Sequence, residues 1–369
     1  MIPLTKPHIP PKAHEYVKQV LDSGHLAEGE FTRKFEEAVR EYTGDKYAIA
    51  VANATVGLEA VIACTKNSFP GYVAVAIIPG YNHPAGVLAA LKNNYKIIVR
   101  DVDKRSMIFV PESLWQIHGD IFIPVSMFGN PMPQIESDIF TLEDAACSLG
   151  STYDGPWKEN KRILDQKSGD IADVSVFSFH PRKIITTSEG GMITTNNQSL
   201  YKKLLSYKQF GAPSFGKNRS QDTFTAMGTN YRLNDVGSAI GLAQMEVFDE
   251  ILNARIARAQ NYIKEFSTWG NVEIPKVTEG GKHSYQTFCI FVDNPQRIID
   301  EMAKREIQCQ IGSYALHMHP FFRDHPDVEF EGDMKNSQWV FDHCLALPLY
   351  ADMNDFQQEV VIKNLKELV

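Results

Sequence analysis

Short apolar runs, each long enough for one buried strand, recur from Tyr47 to Thr195, and this rhythm limits the folds open to the chain. Tyr47–Val51, Val73–Ile78, Lys96–Arg100, Ile121–Val125, Asp138–Thr141, Ala172–Val176 and Met192–Thr195 read as strands. Helical patterns stand between several of them, including an apolar helix opening at Asn53–Ala60 and the run Ala85–Leu91. Strands alternating with helices pair in parallel, and a parallel sheet needs cover on both faces. The expected fold is α/β, with a mostly parallel central sheet in the middle of three layers. No Gly-x-Gly-x-x-Gly follows the first strand, so a dinucleotide site is not supported.

Helical patterns bracket this core. Lys12–Asp22 stops at Ser23-Gly24, and Phe31–Tyr42 stops at Thr43-Gly44. After the last strand come a helix over Gln198–Gln209 and a loop, Phe210–Phe224, whose length marks it as functional or mobile. An amphipathic pattern from Asp235 to about Trp269, continuous or interrupted, then leads outward. Beyond it the texture changes: a strand over Tyr285–Val292, a helix over Pro295–Arg305, a strand over Gln308–Ile311, and helices over Asn336–Cys344 and Asp355–Leu368. We expect a large domain of residues 1–250 with an N-terminal arm, and a small α+β domain of residues 251–369.

Charge and cysteine usage narrow the function classes. The chain has 369 residues, and 37 basic against 45 acidic side chains leave a net charge of -8, with no basic face for a nucleic-acid backbone. No apolar run approaches the ~18 to 20 residues of a membrane span, and the first residues lack a signal-peptide core, so a cytoplasmic protein is expected. Cys64, Cys147, Cys289, Cys309 and Cys344 are scattered, with no Cys-x-x-Cys pair, and imply neither a disulfide framework nor a zinc ribbon. His317 and His319 would share one face of a strand but have no third ligand near them in sequence, so no metal site is expected.

The stretch Phe177-Ser-Phe-His-Pro-Arg-Lys183-Ile-Ile-Thr-Thr-Ser-Glu-Gly-Gly191 joins two of the buried strands. A lysine on such a connection is either an ordinary surface lysine or an amine that a rigid scaffold holds for imine chemistry. Asn53-Ala-Thr55 opens a helix directly after a strand, which suits an anion site as well as a simple N-cap. Pro79-Gly-Tyr-Asn-His83 lies just past a strand's C-terminal end, where ligands of α/β sheets collect, although His83 could equally cap a turn. Asp144, in Phe140-Thr-Leu-Glu-Asp-Ala-Ala-Cys-Ser-Leu-Gly150, needs a cationic partner if buried, or else caps the segment that follows. Asn230 in Gly228-Thr-Asn-Tyr-Arg-Leu-Asn234 could be turn chemistry alone.

Taken together these motifs resemble the DegT/DnrJ/EryC1/StrS aminotransferases, pyridoxal-phosphate (PLP) enzymes that aminate keto-sugars attached to nucleotides, and the resemblance runs from about Ile2 to the C-terminus. It implies the PLP-transferase fold, with Lys183 as the lysine that carries the cofactor and moves protons, and Asp144 against its pyridine nitrogen. It further implies Ala54, Thr55 and Ser178 around the phosphate, His83 stacked on the ring, and Cys147 where glutamine is most common. Asn230 would reach the phosphate held by the other chain of a homodimer with shared active sites. Tyr314 and His317, in Ile311-Gly-Ser-Tyr-Ala-Leu-His-Met-His-Pro320, would line the substrate side. The implied donor is glutamate or glutamine, and the acceptor a keto-sugar. Alternatives are a different carbonyl such as a keto-cyclitol, or a non-catalytic regulatory or binding relative. Lys183 argues against the family's dehydratases, which carry histidine there. His83, Cys147, Ser188 and Phe210 depart from the family pattern.

Overall fold

The structure is a computed structural model that describes residues 1–66, 72–109, 119–133, 139–154, 157–158, 161–162, 166–169, 171–213, 220 and 222–369. Part of the expected 210–224 loop and residue 138 of the expected fifth strand lie outside the described residues. Eight strands form the central sheet in the order 47–51, 191–195, 174–178, 140–144, 121–122, 75–79, 96–100, 328–331. All run parallel except Gly191–Thr195, which is antiparallel to both neighbours. The α/β fold with a mostly parallel sheet is as expected.

Alternation along the strands builds the layers. Ile49, Val51, Val174, Val176 and Leu142 face one side and pack against α3 (Ala54–Thr65), α4 (Ala85–Lys92) and α5 (Gln198–Tyr207). Ala48, Ala50, Phe177 and Met192 face the other, against α1 (Pro11–Ser23), α2 (Glu30–Thr43), α6 (Asp235–Met245) and α7 (Phe248–Phe266). The long pattern beginning at Asp235 is thus interrupted, between Met245 and Phe248.

The C-terminal part holds its own core. Tyr262 and Phe266 of α7 meet Phe288, Ile290, Leu345 and Leu347, with α8 (Pro295–Lys304) and α11 (Asp355–Lys366) adding Ile298, Met302, Val361 and Leu365. Its sheet has three antiparallel strands in the order 288–291, 344–347, 310–311. Cys344–Leu347 leaves the end of α10 (Lys335–His343) directly as a strand, whereas the sequence pattern extends the helix to Cys344. His317 lies in a 3-10 turn, Leu316–Met318, just before α9 (Pro320–Arg323), so it does not share a strand face with His319. Two short strands return to the large unit: Tyr314–Ala315 pairs with Tyr81–Asn82, and Val328–Glu331 pairs with Lys96–Arg100 as the sheet's eighth strand. No described helix is long and apolar enough to cross a membrane.

Candidate active site

The strand Tyr47–Val51 delivers the chain to the start of α3, and Asn53 caps it: Oδ1 accepts the Val56 N–H at 3.0 Å while the Asn53 carbonyl accepts the Gly57 N–H at 3.1 Å. The cap and the anion site are therefore compatible. Asn53 satisfies the inner donors, and among the described residues the N–H groups of Ala54 and Thr55 keep no acceptor. Gly191 lies directly beneath this turn, where a Cβ would stand 2.7 Å from the Ala54 nitrogen. Only glycine lets the strand leaving the lysine segment pass so close.

Asp144 ends the strand Phe140–Asp144 and is 4% exposed. Its Oδ1 accepts the Ala146 N–H at 3.1 Å, and no cation lies within ion-pair distance of it among the described residues. Burial pushes its pKa above the ordinary carboxylate value, against the pull of that N–H and of Lys183. Glu143 points to the opposite face and is fully buried. It accepts hydrogen bonds from Ser126 Oγ and Ser175 Oγ at 2.6 Å, Ser168 Oγ at 2.8 Å and the Gly169 N–H at 3.3 Å. These hydroxyls satisfy a buried carboxylate without a cation and tie Asp144's strand to the strand Val174–Ser178.

The lysine connection is stapled to its surroundings. The Lys183 N–H donates to the His180 carbonyl at 2.8 Å, and Thr186 Oγ1 donates to the Phe179 carbonyl at 2.8 Å. Gln244 of α6 closes a pair of bonds with the Thr186 backbone at 3.1 and 2.6 Å. Ser188, one of the departures, takes a left-handed backbone with φ of 71°, as does Phe210 with φ of 61°. From this frame Lys183 Nζ donates to Cys147 Sγ at 3.1 Å.

A cavity of about 850 Å³ unites these elements, within the range of small-molecule sites. Seven of the ten residues singled out from the sequence line it: Ala54, Thr55, His83, Asp144, Cys147, Ser178 and Lys183. Three stand outside its lining. Asn230 is exposed, on a segment bridged to Gln209. Tyr314 is also exposed, though its ring centroid is 6.3 Å from that of His83, and His317 faces Phe330 at 6.2 Å. The cavity also takes in His180, Arg182, Glu189 and Gln286, which the sequence reading passed over. The first three lie inside the lysine motif, where closeness to Lys183 was the available signal. Gln286 comes from the C-terminal unit and carries no sequence signal. Desolvation pushes both imidazoles below the ordinary histidine pKa; the Lys183 and His180 charges add to it at His83, and Lys183 and Arg182 add to it at His180 against Glu189.

Comparison with known proteins decides what this arrangement is. The sequence model of the DegT/DnrJ/EryC1/StrS aminotransferase family matches residues 7–366. The chain belongs to this family. GDP-perosamine synthase of Escherichia coli O157:H7 is 28% identical, over 89% of this chain and 90% of that one. An uncharacterized protein of Methanocaldococcus jannaschii is 27% identical, over 98% of this chain and 97% of that one. In fold, the chain matches Helicobacter pylori PseC, described as an aminotransferase involved in the biosynthesis of pseudoaminic acid. That match has a TM-score of 0.85 at 21% identity and covers 99% and 98% of the two chains.

This aminotransferase is accordingly a PLP-dependent transaminase. The residues present fit that cofactor. Among the described residues, a buried carboxylate lacking a cation, Asp144, suits a protonated ring nitrogen, and the unbonded N–H groups at the start of α3, with Ser178 close by in the lining, suit a phosphate. Lys183 opens into the same space.

Proposed function

We propose that this aminotransferase moves an amino group from glutamate or glutamine to a keto-sugar carried on a nucleotide. The observation that carries the reading is the meeting, in one cavity, of Lys183, the cation-free Asp144 and the unsatisfied start of α3. The sugar acceptor rests on relatives matched over most of their length, GDP-perosamine synthase among them. When bound, PLP supplies an electron sink for breaking a bond to the amine-bearing carbon. Lys183 would hold it covalently; once released, Nζ is the base that takes the donor's α-proton and later returns a proton to the acceptor carbon. Asp144 would keep the ring nitrogen protonated. The α3 N–H groups, Thr55 and Ser178 would orient the phosphate, and His83 would lie against the ring.

Asn230 of a second copy would complete the phosphate site, which its exposure outside its own chain's cavity supports. The division into units of residues 1–250 and 251–369 belongs to the same proposal, with the qualification that α7 runs unbroken through position 250.

The test is a two-step assay. Holoenzyme is treated with L-glutamate or L-glutamine, freed of donor, and offered nucleotide-linked keto-sugars one at a time, with aminated product read by mass spectrometry. Amination of at least one such sugar is expected. Amination of free keto-cyclitols alone would move the enzyme to a different acceptor class, and no reaction with either donor would end the donor assignment.

A further inference from the structure

Glutamines grip the lysine segment on either side of Lys183. Gln244 of α6 holds the Thr186 backbone, and Gln286, just before the strand 288–291, reaches in from the C-terminal unit. Gln286 Nε2 donates to the Arg182 carbonyl at 2.7 Å. That carbonyl belongs to the peptide group whose N–H is Lys183's own, and the N–H donates to the His180 carbonyl at 2.8 Å. The peptide plane from which the lysine stem departs is therefore fixed at both of its polar ends. The orientation of the carboxamide follows from its neighbours: the Arg182 carbonyl can only accept, and Thr287 Oγ1 donates to Gln286 Oε1 at 3.0 Å.

Gln286 is held in turn. It is buried, and its own carbonyl accepts Arg255 Nη2 at 2.5 Å, while the Tyr285 carbonyl accepts the same nitrogen at 3.2 Å. Arg255, buried on α7, has no carboxylate within ion-pair distance among the described residues, and burial pushes its guanidinium down to about 10, so it stays a cation at neutral pH. Tyr285 takes a left-handed backbone with φ of 50°, and the N–H groups of Ser284 and Thr287 donate to the carbonyls of Gly129 and Phe128 at 3.1 and 3.2 Å. A buried guanidinium on two peptide carbonyls, beside a strained residue, thus immobilises the one amide that reaches the peptide before Lys183.

We propose that Gln286 is a positioning residue for the transamination, aligning the Lys183 stem so that Nζ meets the cofactor and later the reacting carbon. This rests on the reading of Lys183 as the lysine that carries the cofactor. In the test, cofactor-free protein is mixed with PLP, and the adduct on Lys183 is trapped with borohydride and followed in time by mass spectrometry. In Gln286→Met, which fills the space without an amide donor, the adduct should form about 10- to 100-fold more slowly than in the native protein. 4-Deoxypyridoxine 5'-phosphate, which lacks the aldehyde, reports on the remainder of the site, and its calorimetric Kd should stay within about twofold, because only the lysine is misaligned. Gln286→His, whose Nε2–H reaches about as far as the lost amide, should recover part of the rate. Gln286→Leu takes the place of Gln286→Met if the latter does not fold. An unchanged rate of adduct formation overturns the proposal. An equal weakening of the analogue also overturns it, since Gln286 would then only shape the cavity, and so does an effect confined to the KM of donor or acceptor, which would put the amide against substrate. If the native protein forms no adduct on Lys183, the reading of that lysine fails first, before any substitution.

Discussion

Lys183 and Asp144 carry the proposed chemistry at the residue scale, and each makes a separable prediction. Lys183→Ala removes both the proposed covalent holder and the base, so turnover should fall to background while the circular dichroism spectrum stays native; full activity in that variant would exclude the transaminase role for this lysine. Asp144→Asn keeps shape and the acceptor for the Ala146 N–H but removes the charge that would keep the ring nitrogen protonated, and a rate loss of at least ~100-fold is expected with cofactor still bound. The same substitution carries a pH signature in cofactor-free protein. Burial raises the Asp144 pKa in the folded state, so folding favours the protonated acid and the penalty for its charge grows as pH rises from 3.8 through the raised folded value. The difference in unfolding free energy between Asp144→Asn and native protein should therefore shift in the variant's favour as the pH rises above about 4. A pH-independent difference would mean that the carboxylate is not desolvated. Both residues were singled out by motif position, and so was the need of Asp144 for a cation if buried, whereas its burial without one among the described residues became visible only once its neighbours were in place.

At the scale of elements, the site depends on remote fastenings that no local pattern announces. The start of α2 has Gly29 at its N-cap with no side-chain cap, and Asp235, at the start of α6, serves instead. Its carboxylate accepts the N–H groups of Gly29, Phe31 and Thr32 at 2.8, 3.2 and 2.9 Å, and Thr32 Oγ1 at 2.7 Å. Asp235→Ala should lower the unfolding free energy by about 2 to 3 kcal/mol, read from the urea midpoint of cofactor-free protein, because three helix donors lose their partner together. A loss under about 0.5 kcal/mol would mean that water replaces the carboxylate. The missed strand Val328–Glu331 has an equally physical cause. Only Val328 of it is buried, its alternating glutamates are what a protected sheet edge carries, and Glu331 crosses to Arg100 at 2.6 Å. A charged, half-exposed tetrapeptide does not read as strand until Lys96–Arg100 supplies its partner. Cys344–Leu347, buried throughout, is ambiguous for the opposite reason, since a short continuous apolar run fits the end of a helix or a core strand equally.

On the scale of the whole molecule the outstanding question is assembly, and it has a direct test. If Asn230 serves the phosphate bound by a second copy, inactive Lys183→Ala and Asn230→Asp chains, dissociated and reassembled together, should regain roughly one working site per mixed dimer, because both lesions can fall in the same composite site. Mixed dimers without recovered activity, from parents that each fold and are each inactive, would show that the site is not shared. The sequence by itself determined the α/β architecture, which rests on strand periodicity, and the family resemblance of its motifs singled out the lysine, the carboxylate and the helix start that the structure brings to one cavity. Only the tertiary structure decided that Gly191 must pass beneath Ala54, that Lys183 Nζ meets Cys147, that Gln286 and Arg255 brace Arg182 from the C-terminal unit, and that the eighth strand comes from residue 328 onward. Those relations join residues distant along the chain through close packing and hydrogen bonds, and such contacts leave no periodicity in the sequence from which they could be read.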